Sequence, residues 1–185
     1  MDTKKNKTTY NNKKEIHTSD GFIWPSHYTK GNIQVIDIIR DQLSNKSFYG
    51  FCILFVLKYL IRVLEGDMAT KLRGYSKAKF YLNELIKTRK GKEDPADESR
   101  INPKYYTNHQ YEVVDILEDQ FDEEMVVGAY TGTILKYLLR SEAKHGLEDY
   151  QKAYYFLERL IEYCKKCTDN EEDEYKIKIF NKNGV

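Results

Sequence analysis

An internal duplication constrains the fold of this 185-residue chain more than any other feature of its sequence. Aligned without gaps at an offset of 78 residues, the stretch 25–62 matches 103–140 at proline, glycine, charged and apolar positions. The clearest block is Leu57-Lys58-Tyr59-Leu60, which returns as Leu135-Lys136-Tyr137-Leu138. Beyond the arginine that follows each block the offset falls to 75, because the first copy has three additional residues. A unit this short buries a stable core more readily when two copies pack together.

Apolar residues recur at helical spacing within each copy, which predicts helices. In the first copy the pattern predicts helices over 32–43, 45–65 and 69–90. The helix over 45–65 is apolar on nearly every face, so we expect it to lie at the centre of the packing. We therefore predict an all-α fold in which two tandem copies of a three-helix module pack together.

Segments of different composition flank the two predicted repeats, which cover 21–90 and 102–167. Residues 1–20 are rich in Lys, Asn and Thr and have the composition of a disordered arm. Residues 91–101 are charged and contain glycine and proline, which is typical of a linker. The tail, 168–185, begins acidic and then alternates polar with apolar residues. That alternation predicts a short strand or, alternatively, an arm that docks on a neighbouring subunit.

Charge and hydropathy argue against several classes of protein. Lys and Arg number 30 against 29 Asp and Glu, and this balance disfavours a protein that coats a nucleic-acid polymer. Charged residues interrupt the longest apolar run, 48–64, so we expect no membrane span. Residues 1–20 lack the apolar core of a secretion signal. The odd count of three cysteines is typical of a reducing compartment. We therefore expect a cytoplasmic protein.

A lysine and an arginine lie one turn apart on the second helix of each copy, namely Lys58 with Arg62 and Lys136 with Arg140. Burying two cations on an apolar helix is costly unless an anion neutralises them. A ligand phosphate suits such a pair, because lysine offers a point charge and arginine a bidentate fork. Internal ion pairs to Asp37 and Asp115 are one alternative, and cations that reach the surface at the helix end are another.

Further candidate residues surround these cations in the sequence. Tyr59 and Tyr137 directly follow the two lysines, and His27 and Tyr28 of copy one stand where copy two has Tyr105 and Tyr106. Lys144 opens a Lys-His-Gly turn whose free backbone N–H groups suit an anion. Only copy two has a carboxylate at the position of Glu112, so we predict a composite site to which each copy contributes. A solvated loop histidine is the alternative interpretation of His27.

Several common site patterns do not occur in this sequence. It has no Walker phosphate loop, HExxH, GxSxG or EF-hand pattern. Cys164 and Cys167 form a CxxC pair, but no second ligand pair completes a zinc site, so we expect no protein-bound metal.

The ordered blocks of both copies resemble the SaV-like family of small phage proteins over 24–87 and 102–163. Copy one contributes Pro25-Ser26-His27-Tyr28, Ile36-Asp37, Gly50-Phe51-Cys52, Leu57-Lys58-Tyr59, Arg62, Lys77-Ala78 and Phe80-Tyr81-Leu82. Copy two contributes Glu112-Val113-Val114-Asp115, Leu135-Lys136-Tyr137, Arg140, Lys144, Gly146, Glu148-Asp149 and Lys152-Ala153.

Family members typically carry one copy, so the tandem form is a departure. A second departure is that the family's usual asparagine before the Leu-Lys-Tyr block is Phe55 here in copy one and Thr133 in copy two. A third departure is that Val63-Leu64-Glu65-Gly66-Asp67 replaces the family's Gly-Lys-rich turn in copy one, which favours binding over catalysis.

The resemblance implies nucleotide chemistry, because the family includes a nucleotide kinase without a Walker loop that acts on deoxynucleoside monophosphates. We expect a phage nucleotide-binding protein of kinase type, with magnesium entering together with the nucleotide. In that hypothesis the catalytic residues are Lys136, Arg140, Glu112 and Asp115. The ligand-binding residues are His27, Tyr28, Asp37, Lys58, Tyr59, Arg62, Tyr106, Tyr137 and Lys144.

Two other functions remain open at this point. A non-catalytic sponge that sequesters a nucleotide or a cyclic-nucleotide immune signal needs the same basic and aromatic site without catalytic carboxylates. A helical interaction module without a ligand instead requires Lys58 and Arg62 to pair with Asp37. Under each hypothesis a small repeat protein of this kind is expected to form a homo-oligomer.

Overall fold

A computed structural model describes residues 33–90, 96–103 and 110–183, with side chains as far as Asp169. All of the regular structure in these ranges is helical, which confirms the all-α prediction. The helices are α1 (Val35–Gln42), α2 (Asn45–Arg62), α3 (Met68–Lys90), α4 (Glu98–Ile101), α5 (Val113–Gln120), α6 (Glu123–Arg140) and α7 (Leu147–Asn183).

The duplication is evident in the helix boundaries themselves. Helices α1 and α5 have eight residues each and helices α2 and α6 have 18 each, and both pairs begin and end 78 residues apart. Side-chain caps begin the longer pair, because Ser44 accepts from the Ser47 N–H and Asp122 accepts from the Met125 N–H. The two repeats therefore form the same three-helix module twice.

Four long helices form the shared core, with α3 and α7 at its centre. Helix α3 packs on both α2 and α7, and α7 packs on both α3 and α6. The core side chains include Phe48, Cys52, Val56 and Leu60 of α2, Tyr75, Ala78, Leu82 and Leu85 of α3, Val126, Tyr130, Ile134 and Leu138 of α6, and Tyr150, Ala153, Leu157 and Leu160 of α7. The prediction that α2 occupies the centre is wrong: α2 buries one side only, whereas α3 and α7 each pack against two other long helices.

Three ion pairs join repeat 1 to repeat 2 beside the shared core. Lys79 Nζ lies 2.7 Å from Glu158 Oε1, Lys71 Nζ lies 3.3 Å from Glu123 Oε1, and Arg89 pairs with Glu142. The guanidinium of Arg89 also lies over the Tyr150 ring, 5.1 Å from its centroid. Each pair joins a cation of repeat 1 to a carboxylate of repeat 2.

The first helix of each repeat is anchored by an ion pair whose charges are reversed in the other repeat. In repeat 1, Arg40 of α1 pairs with Glu84 of α3. In repeat 2, Glu118 of α5 forms an ion pair instead with Arg159 of α7, with 3.7 Å between Glu118 Oε1 and Arg159 Nη2. The first helix of each repeat is thus held in the same way, although the positive and negative side chains have exchanged places.

The C-terminal tail corrects the sequence analysis. Helix α7 continues to Asn183, so the strand predicted for the alternating segment is wrong. The helix continues because 147–183 contains neither glycine nor proline to end it. The predicted linker likewise contains a helical turn, α4. None of the helices in the described ranges is long and apolar enough to cross a membrane.

Candidate functional site

A cavity of about 340 Å³ opens in repeat 2, where α4 and the two residues after it face helices α5, α6 and α7. Its lining is mainly apolar and aromatic, with charged groups among them. The side chains that matter for its chemistry are Arg100, Glu112, Tyr130, Thr133, Lys136, Tyr137, Lys152, Tyr155 and Phe156. Of the predicted site residues, the structure thus brings Glu112, Lys136 and Tyr137 to one place.

Stacked aromatic rings form one wall of the cavity. The rings of Tyr137 and Phe156 lie 5.8 Å apart between centroids, at an interplanar angle of 17°. Tyr130 is buried nearby, and its hydroxyl donates to Glu118 Oε1 at 2.6 Å. Burial raises the pKa of the Tyr130 phenol, so this group stays protonated and fixed. The wall offers a flat apolar surface suited to an aromatic ligand.

Three cations surround the Tyr137 ring. Lys136 Nζ and Arg140 Cζ each lie 4.6 Å from its centroid, and Lys152 Nζ lies 6.0 Å away. The face of an aromatic ring attracts cations through its quadrupole, which helps to hold these groups together. Positive charge is thereby concentrated beside the aromatic wall.

Two buried carboxylates neutralise part of this charge. Glu148 accepts from both Lys152 and Arg100, at 2.7 Å each. Asp149 is fully buried and accepts from Arg140 Nη2 at 2.8 Å, a hydrogen bond that raises the pKa of the guanidinium. Lys136 has no ion-pair partner within the described part of the chain. It is therefore the cavity's cation most available to a ligand.

The two predicted catalytic carboxylates occupy different environments. Glu112 precedes α5 and lines the cavity. Asp115 lies outside the lining, where it accepts from Arg159 at 2.8 Å and from the Glu112 backbone N–H at 3.1 Å. The hydrogen bond from Arg159 lowers the pKa of Asp115. Its observed role is to cap α5 and attach it to α7.

Repeat 1 retains the cations but fills the equivalent space with aromatic side chains. Lys58 Nζ and Lys77 Nζ lie 5.8 and 5.7 Å from the centroid of Tyr59, as their counterparts do around Tyr137. Phe51 and Phe55 stand where repeat 2 has Ala129 and Thr133. The Phe55 ring stacks on Tyr81, the counterpart of Phe156, at 4.7 Å. Large aromatic side chains therefore stand in repeat 1 at the positions that Ala129 and Thr133 occupy beside the cavity of repeat 2.

The surroundings of the arginine that follows the Leu-Lys-Tyr block also differ between the repeats: this residue is Arg62 in repeat 1 and Arg140 in repeat 2. Asp149, which binds Arg140, corresponds to Gly74 in repeat 1. A Cβ added at Gly74 would overlap Cγ1 of Val63, which directly follows Arg62 as Ser141 follows Arg140. Repeat 1 has thus replaced the polar cluster beneath its arginine with close apolar packing.

Several expectations about the cations are wrong. Lys58, Arg62 and Lys136 are exposed and the Arg140 side chain is 33% exposed, so the helices do not bury unpaired cations. These long side chains reach water from an apolar helix, as the surface alternative predicted. Asp37 pairs with Arg40 at 2.8 Å rather than with the cations of α2.

The Lys144 turn is also less open to an anion than its sequence indicated. Gly146 adopts a positive φ of 51°, which favours glycine, and its N–H donates to the Ser141 carbonyl at 2.9 Å. The N–H of Glu148 donates to the His145 carbonyl at 3.0 Å. Lys144 itself is exposed and does not line the cavity.

The remaining predicted residues, His27, Tyr28 and Tyr106, lie outside the described residues. Sequence reasoning missed Arg100 and Lys152 as members of the site. Lys152 matched Lys77 in the repeat alignment, which was the available signal, whereas Arg100 lay in an apparent linker. The described residues contain no group of three or more His, Cys, Asp or Glu side chains arranged to hold a metal ion.

Comparison with known proteins gives one family. The model of the family described as protein of unknown function (DUF3310) matches residues 24–83 and 101–158, one match for each repeat. Neither a curated protein nor a solved structure matches the chain significantly. The two matches together cover more than half of the sequence, so the chain belongs to the DUF3310 family and carries its domain twice.

Proposed function

We propose that repeat 2 binds a nucleotide in the cavity between α5, α6 and α7. The observation that carries the proposal is the position of Lys136, an exposed cation, beside the stacked rings of Tyr137 and Phe156. A nucleotide presents a flat base and a negative phosphate, and this site offers a complementary surface for each. The resemblance to the SaV-like phage family supports the same ligand class.

The size and charge of the cavity favour a mononucleotide. At about 340 Å³ it lies at the lower end of small-molecule sites, which commonly range from 300 to 1,000 Å³. Glu148 already partly neutralises Lys152 and Arg100, so the site has fewer charges to offer than a triphosphate requires. A single phosphate on Lys136 agrees with both features.

Phosphoryl transfer is a second candidate, favoured by Glu112 in the same cavity as Lys136. Such transfer depends on positioning and on positive charge, and carboxylates commonly hold its magnesium. The other nearby carboxylates, Asp115 and Asp149, are already engaged by arginines. Binding without turnover, as in a nucleotide or cyclic-nucleotide sponge, therefore ranks ahead of catalysis.

Calorimetric titration with nucleoside monophosphates and cyclic nucleotides tests the binding. Thr133→Phe introduces the side chain that fills repeat 1, so we expect it to abolish binding. Lys136→Ala removes the phosphate partner and should weaken binding by about tenfold, or about 1.4 kcal/mol. Gly132→Ala is the control for α6, since its new Cβ meets no atom within 4 Å. Equal binding by wild type and Thr133→Phe would place the ligand elsewhere.

A product assay separates the two nucleotide functions. The protein is incubated with ATP, magnesium and each deoxynucleoside monophosphate, and the nucleotides are identified by mass spectrometry. New diphosphate that disappears in Lys136→Ala would establish a kinase. Binding without product would support a sponge, and the absence of both would overturn the proposal.

A further inference from the structure

The near-neutral net charge of this protein conceals a separation of charge between its repeats. Residues 33–90 contain 11 Lys and Arg against five Asp and Glu, a net charge of +6. Residues 110–169 contain seven against 13, a net charge of −6. Three ion pairs between cations of α3 and carboxylates of repeat 2 use only part of this difference.

Part of the remaining positive charge lies on an exposed side of α2. Leu54, Lys58, Ile61 and Arg62 are separated by four, three and one residues, which places them along one side of a helix. Leu54 is 61% exposed and Ile61 57% exposed, and no carboxylate of the described residues pairs with Lys58 or Arg62. We call these four residues the basic face.

Part of the remaining negative charge lies where α5 meets α6. Asp119, Phe121, Glu124 and Met125 are all exposed, with Phe121 at 49% and Met125 at 56%. Neither Asp119 nor Glu124 forms an ion pair with a described residue. We call these four residues the acidic corner.

We infer that copies of this protein associate by docking the basic face of one copy on the acidic corner of another. The two surfaces have opposite charge, and each presents two large apolar side chains that are costly to leave in water. Opposite charges bring such surfaces together and fix their register, while apolar burial supplies much of the affinity. A second copy of the chain is the partner that offers both properties.

The opposite net charges of the two repeats also favour self-association over binding to a nucleic acid. A phosphate backbone would meet the basic face of repeat 1 but would be repelled by repeat 2, which carries the opposite net charge. A second copy can instead place each repeat against the oppositely charged one. Because the two surfaces differ, each contact is heterologous, and every copy can make two of them.

Charge reversal tests this inference in sedimentation experiments over a range of protein and salt concentrations. Wild type is expected to associate, and added salt should weaken the association. The variants K58E/R62E and D119K/E124K should each weaken self-association by about tenfold or more, since like charges then meet. An equimolar mixture of the two variants should associate again, because both mixed contacts pair opposite charges.

The control variant K90E/K165E changes net charge as K58E/R62E does, at exposed lysines outside both surfaces. Circular dichroism checks that each variant retains its helices. A monomeric wild type, an unimpaired K58E/R62E variant or a mixture that stays monomeric would each overturn the inference. So would a monomeric wild type whose basic face binds a single-stranded oligonucleotide. None of these measurements depends on the nucleotide cavity, so the two proposals can fail separately.

Discussion

Gly74 lies where repeat 2 has a buried aspartate, and its missing side chain lets Val63 pack against the α3 backbone. We expect Gly74→Ala to lower the free energy of unfolding by about 1–3 kcal/mol, because the added methyl has no space. Urea denaturation measures this change. The double variant Val63→Ala/Gly74→Ala relieves the overlap and should be more stable than Gly74→Ala alone. If it is not, steric overlap is the wrong explanation.

Individual residues also show how far sequence reasoning can identify a site. Lys136 and Tyr137 could be selected because the same pair returns 78 residues away. The repeat could not show that Lys136 lines a cavity, since that depends on the smaller Thr133, which stands where the first copy has Phe55. Arg100 could not be selected at all, because its place beside α7 depends on tertiary packing.

At the scale of the elements, the reversed ion pairs give a direct test of how the first helix of each repeat is anchored. Either Arg40→Glu or Glu84→Arg alone places like charges together, and Glu84 is largely buried. We expect each single variant to lose about 1–3 kcal/mol of stability. The double variant recreates the charge order found in repeat 2 and should recover most of the loss in thermal denaturation. Losses that simply add in the double variant would contradict a specific pair.

The helices themselves could largely be predicted from the sequence, but which helices pack against one another could not. Apolar periodicity predicted α2 and α3 to within three residues at each end, because local spacing sets the buried side of a helix. Leu54 and Ile61 have the side chains of core residues, yet both are exposed on α2, so their sequence alone does not show which side of the helix is buried. The tail was wrongly predicted as a strand. Alternation over six residues is a weak signal for a strand when the helix that begins at Leu147 continues through the same segment.

At the scale of the whole molecule, buried acidic groups predict loss of stability at alkaline pH. Burial raises the pKa of the Cys52 and Cys164 thiols and of the Tyr75 phenol, each to about 12, from ordinary values of 9.0 and 10.0. The folded chain therefore keeps protons that the unfolded chain releases. Stability from these groups is complete below about pH 9 and falls as the pH rises toward 12.

Urea unfolding at neutral pH and at about pH 10 measures this dependence. The midpoint should fall with pH in wild type. It should fall less steeply in a Cys52→Ala/Cys164→Ala variant, whose absolute stability is lower because two core side chains have been shortened. Identical slopes would mean that the thiols do not contribute.

The aromatic side chains of Phe51 and Phe55 have a consequence for how this protein would respond to ligand concentration. Two equal sites in one chain could cooperate and give a steep response, because the Hill coefficient can rise only as far as the number of coupled sites. Here one module has exchanged open space for packing, and the other has kept it. Under the proposed function, duplication has enlarged the core without doubling the nucleotide site, so we expect each isolated chain to bind along a simple hyperbola, with one nucleotide at saturation.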